Sequence, residues 1–192
     1  MSDDSCKIAD TFSASVTRGA GQEDIVSFDG TYTAKCYDQY GILKWSDVIE
    51  NITTNVGRKS MMDSYFANIG GGAILMGLKG TGTAVVGDTQ ASHASWLEVG
   101  LANAPTYSGT RKTPTFSAST TANPSVLSTS AAVVFAMTGS GTVTGAFINI
   151  GGTSTIDNTT GILFSAGDFT AGSKTVTSGD TINVTYTLSS TG

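Results

Sequence analysis

Charge is what this chain has least of. Only 13% of its 192 residues are Asp, Glu, Lys or Arg, about half the usual share of a globular protein. Histidine occurs once, cysteine twice and proline three times. So few His and Cys argue against a dense transition-metal site, which needs several such ligands side by side. Ten basic residues stand against fifteen acidic ones, a net charge of −5. This balance argues against a protein that grips nucleic acid through its phosphates, which needs clustered Lys and Arg. The pairs Arg58-Lys59 and Arg111-Lys112 read as solvated surface features. No apolar run reaches the ~18 residues of a membrane span, so no membrane partner is expected. Met1-Ser2-Asp3-Asp4 lacks the basic and apolar regions of a signal peptide. The chain is therefore expected to be made in a cytoplasm, with Cys6 and Cys36 reduced.

What fills the chain instead is Gly, Thr, Ser and Ala, with 24 glycines. β-Branched and hydroxyl residues suit pleated strands joined by tight turns, and suit long helices poorly. Residues 1–28 are polar without sustained periodicity and read as an N-terminal arm, either ordered only against something else or simply disordered. Residues 29–192 read as one domain. Strands are expected at 31–37 and 42–45 around an Asp38–Gly41 turn, then at 48–56, 73–78, 94–99, 113–119, 131–137, 145–150 and 162–165. The last strand, 182–188, alternates apolar and polar residues without a break. Gly87-Asp88, Gly167-Asp168 and Gly179-Asp180 read as turns, and 139–145 as a hairpin turn. The expected fold is mainly β, an antiparallel β-sandwich or jelly-roll-like domain with one short helix.

That helix is expected over 58–69. Met61, Met62, Tyr65, Phe66 and Ile69 form one stripe of helical spacing, with Asn55 as a possible cap and Gly70-Gly71-Gly72 as the stop. Such a stripe is expected to be core, closing one end of the sheets.

Chemistry is sparse. His93, with Ser92 or Ser95 as nucleophile and Asp88 as orienting acid, would be the only hydrolase set, and no nucleophile elbow surrounds it. The structural alternative has Asp88 and His93 pinning a long loop that Trp96 anchors in the core. The Gly-Asp pairs lack the alternating oxygen ligands of a calcium loop. The 139–145 stretch has the wrong spacing for a nucleotide loop. No catalytic, metal or cofactor residue is assigned. Tyr37, Tyr40 and Trp45, close together near the first hairpin, are a possible interface or sugar-stacking set.

The order of Lys44-Trp45, residues 51–57, the short helix, the Gly-Asp-Thr-x-Ala-Ser-His-x-x-Trp loop of 87–96, Tyr107, Arg111 and the segments 164–168 and 178–186 resembles small virion structural proteins of tailed bacteriophages. The resemblance covers about residues 29–192 and is carried most specifically by the 87–96 loop. It implies a capsid decoration or cement protein without enzymatic activity, bound at capsomer junctions on the outer surface of the virion. The implied partners are the major capsid protein and further copies of the chain, as a homotrimer. A tail, fibre-attachment or baseplate component is the alternative, and a carbohydrate-binding module a third reading.

Overall fold

The computed structural model describes residues 27–93 and 95–191. The arm expected over 1–28 thus lies outside the described residues, apart from Ser27 and Phe28, which open the first strand. In chain order the described residues form β1 (Ser27–Tyr37), β2 (Leu43–Thr53), α1 (Asn55–Met62), a π-helical turn (Asp63–Ala67), β3 (Ile74–Gly82) and β4 (Trp96–Val99). There follow β5 (Ser125–Ser128), β6 (Val133–Ala136), β7 (Gly141–Val143), β8 (Gly145–Ile150), β9 (Ile162–Phe169), β10 (Lys174–Val176) and β11 (Thr181–Thr191).

The fold is mainly β, with antiparallel pairing throughout these strands. One sheet runs β4-β3-β8-β9-β2-β1-β11, and both β5 and β6 pair with β11; β7 and β10 form a separate ribbon. The sheet curls until its two ends share one irregular segment. Met76 of β3 and Lys112 exchange backbone hydrogen bonds of 2.7 and 2.9 Å, and the Ser108 N–H reaches the Ala136 carbonyl of β6 at 2.8 Å. The sandwich-like packing comes from this curl, which brings the two halves of the sheet around one core.

That core follows from period-2 alternation. Tyr32, Ala34 and Cys36 of β1 and Ile182, Val184 and Tyr186 of β11 all point inward, with Ile49, Met76, Ile148 and Phe135. A buried side chain of this size contributes about 1.5–3 kcal/mol. Tyr32 and Tyr186 sit opposite each other in register, their rings 4.6 Å apart. Strands β3, β8 and β9 are covered on both faces, since Ala84, Trp96, Phe147, Leu163 and Ala166 form a second cluster.

Several local expectations fail for identifiable reasons. Gly167-Asp168 is not a turn but lies inside β9, paired with Glu50 and Asn51 on β2. Its glycine serves close strand approach: a Cβ there would sit 2.4 Å from the Glu50 carbonyl. The 139–145 stretch is not a simple hairpin turn, because 141–143 form β7 against β10. Residues 113–119 contribute one isolated bridge, Phe116 to Thr129, rather than a strand. The short strands β5 and β10 were not expected; each is too brief to show periodicity.

Candidate interaction surface

Two groups of exposed apolar side chains stand at opposite ends of β2. At its start, the β1–β2 hairpin is stiffened by Asp38, whose carboxylate accepts the Tyr40 and Ile42 amides at 2.8 Å each. Gly41 takes φ +80°, which a side chain would strain. This rigid tip presents Tyr40, Ile42 and Leu43, 79%, 64% and 52% exposed.

At the other end, Thr54 caps α1 by accepting the Gly57 amide at 3.0 Å. The cap is thus Thr54, not Asn55. The helix lies against β9 through its smallest residues. Gly57 and Ser60 are its buried positions, and a Cβ on Gly57 would fall 2.3 Å from the Phe164 carbonyl. With that face turned inward, the Met-aromatic stripe turns outward, contrary to the core role expected for it. Met61 alone is partly buried against the core. Met62, Tyr65, Phe66 and Ile69 are 65%, 84%, 81% and 64% exposed. The helix ends earlier than expected and widens into the π-turn. Asn68 at φ 52° closes it, and the Ile69 amide returns to the Asp63 carbonyl. Tyr65 and Phe66 support each other edge-to-face, 5.1 Å between centroids.

Of the hairpin aromatics, only Tyr40 projects. Tyr37 is half-buried on β1. Trp45 packs edge-on against Phe169 at 5.3 Å, and its indole N–H reaches the Thr175 carbonyl at 3.3 Å.

Asp88 and His93, on the loop before β4, come together with Trp96, the first residue of that strand. The Asp88 carboxylate accepts the Trp96 indole N–H at 3.0 Å and the Val85 amide at 2.9 Å. The His93 ring stacks on Trp96 at 4.1 Å, with Nδ1 3.1 Å from the Trp96 carbonyl oxygen. Ser95 donates to the Thr83 carbonyl at 2.9 Å. Asp88, His93 and Ser95 are thus each engaged by other partners, and Ser92 bonds to Thr89 through its backbone.

Several charges are buried in ion pairs. Arg111 is not a solvated feature but 2% exposed, paired with Glu98. Lys79 is fully buried against Asp168, Lys174 meets Asp47 at 2.7 Å, and Lys44 meets Asp180 at 2.5 Å. Burial would raise the Asp47 carboxyl, but Lys174, the Thr170 hydroxyl and the Val48 and Ala171 amides outweigh it and lower it to about 2. Asp180 is likewise lowered, its burial outweighed by Lys44 and Thr177. A shallow depression is lined by Lys112, Thr113, Pro114, Thr115 and residues 131–134 and holds no carboxylate. A second lies between Asp38, Tyr40, Lys44 and Asp180. Among the described residues no cluster of His, Cys, Asp and Glu could hold a metal, and no helix is long and apolar enough to cross a membrane.

No protein-family model, curated protein or solved structure matches the chain.

The hydrophobic residues of both poles were visible in the sequence, and Tyr40 already stood as a possible interface residue, but the exposure of the helical stripe was not legible. One available signal was Gly57 with Ser60, small residues three apart on the helix, which mark the face that can approach a strand most closely.

Proposed function

We propose that this chain is a structural protein of a tailed-phage virion, a decoration or cement protein that docks on the outer shell at capsomer junctions and catalyses nothing. The observation that carries this reading is the pair of rigid apolar poles at the two ends of β2. The strand has 11 residues, so they stand up to about 35 Å apart along it. Exposed large apolar groups in clusters mark contact surfaces rather than ordinary solvent-facing positions. A body with one such surface at each end can join two neighbours across a seam. Repetition over a lattice then multiplies weak contacts into stable attachment. Lys79 and Arg111 are paired inside the domain and Lys44 and Lys174 are held on buried carboxylates, which stiffens the body that carries the two poles. Self-association, as a trimer on local threefold positions, belongs to the same proposal.

Incubating the purified chain with undecorated phage shells, followed by sedimentation and cryo-EM, tests this. Wild type should co-sediment in hundreds of copies per particle. Paired Tyr40→Ser/Ile42→Ser and Tyr65→Ser/Phe66→Ser variants should each remain folded and bind at least about tenfold more weakly, the worth of about 1.4 kcal/mol. Density confined to one vertex in a dozen or fewer copies would instead indicate a tail or baseplate component. Full binding by both variants would remove the reading.

A further inference from the structure

We infer that the helical pole has an occupant within the same chain: the N-terminal segment of residues 1–26, seated over Met62, Tyr65, Phe66 and Ile69. Position is the first argument. In the β1–β2 ladder Thr31 pairs with Glu50. Continuing that register four residues outward sets Ser27 level with Thr54, the cap of α1. The segment therefore leaves the domain at the end where the apolar stripe is exposed, not at the hairpin end.

Length is the second. Ten residues, 17–26, separate Val16 from Ser27, and Gly19 and Gly21 lie among them. A linker of that length reaches about 18 Å on average. The helix and π-turn together span 13 residues, Asn55 to Ala67, or about 20 Å. The reach matches the target. A tether of this kind gives an effective concentration in the millimolar range, which favours the segment's own domain over a neighbouring copy.

Composition is the third. Residues 1–26 carry their larger apolar groups at Ile8, Phe12 and Val16, in steps of four, followed by Ile25 and Val26. The exposed stripe has the same step, from Met62 to Phe66 and from Tyr65 to Ile69. The segment holds Asp3, Asp4, Asp10, Glu23 and Asp24 against Lys7 and Arg18. The pole offers Arg58, whose guanidinium reaches the Thr53 carbonyl and the Asn55 amide oxygen and pairs with no carboxylate among the described residues. An acidic, apolar-anchored segment and a basic-flanked apolar face are complementary. The segment then shields this pole from self-association, and any larger partner must displace it. The inference goes beyond the virion reading and needs no particle to test.

Hydrogen exchange of the full chain, followed by mass spectrometry at low micromolar concentration, decides it. The triple variant Ile8→Ser/Phe12→Ser/Val16→Ser should exchange about tenfold faster over 58–69, with β1 and β11 peptides unchanged as the control for folding. Arg58→Glu should raise exchange over the same peptide by a smaller factor. Equal exchange in wild type and triple variant would overturn the proposal. Protection that grows with protein concentration, with a heavier species in sedimentation, would also overturn it, by giving the pole to a second copy.

Discussion

Arg111 and Glu98 meet as a bidentate pair inside the fold, Nε to Oε1 at 2.8 Å and Nη2 to Oε2 at 2.6 Å. The guanidinium also donates to the Thr153 and Asn158 carbonyls, and Glu98 accepts the Asp157 amide at 2.9 Å. One ion pair thus ties the segment that closes the curled sheet to β4 and to the loop before β9. Replacing Arg111 by Met leaves Glu98 buried without its cation, which costs about 3–5 kcal/mol. Urea unfolding of Arg111→Met should show that loss, and Arg111→Met/Glu98→Leu should recover part of it. A double variant as unstable as the single one would mean that packing, not the stranded carboxylate, sets the cost.

Acid stability should report Asp47. Its carboxyl is lowered from 3.8 to about 2 in the folded chain, so the folded state binds its proton more weakly than the unfolded one. The stabilisation is present above the unfolded value and is lost as pH falls through that window. Asp180 shifts in the same direction. Glu98 opposes them: burial raises its carboxyl more than Arg111 lowers it, so its share is greatest at low pH and declines as pH rises through its own range. Stability measured from pH 5 to 2 should therefore fall in wild type, and Asp47→Asn should flatten the fall without abolishing it. An unchanged acid limb would show that Asp47 is not held as its contacts suggest.

The β class was legible because β1 and β11 alternate cleanly: Tyr32, Ala34 and Cys36, and Ile182, Val184 and Tyr186, record one buried face. The 162–169 region was only half legible. Central strands covered on both faces lose alternation, and Gly167-Asp168 has turn composition although its glycine serves close strand approach. The α1 stripe shows the same limit from another side. Spacing tells which residues share a helix face, but not which face the sheet accepts. Arg111 beside Lys112 looked like a surface pair because its partner, Glu98, is 13 residues away and meets it only where Lys112 bridges Met76 of β3, the neighbour of Glu98's strand.

Cys36 should resist modification. Burial, then the Asp180 carboxylate, raises its thiol to about 12, which leaves a thiolate share of order one in ten thousand at pH 8. Iodoacetamide at that pH should leave the Cys36 peptide unlabelled in the native chain and label it fully in concentrated guanidinium. Rapid native labelling would mean that the β1–β11 seam opens on the timescale of the reaction.

Two glycine substitutions should have opposite signs. Gly145 opens β8 against β9, where an added Cβ would lie 1.8 Å from the Gly167 carbonyl oxygen. That neighbour is backbone in a strand paired on both sides, and it cannot rotate away. Gly145→Ala should therefore destabilise by about 1–3 kcal/mol or more, the usual cost of forcing atoms into a packed interior. Gly87, in the turn before Asp88, has no atom within 4 Å of the place an alanine methyl would occupy, and no positive φ. There alanine only narrows the unfolded ensemble and should stabilise by about 0.4–1 kcal/mol. Thermal unfolding of the two variants beside wild type gives both signs in one experiment. A Gly145→Ala chain as stable as wild type would mean that β8 and β9 are not held at the separation on which the central sheet depends.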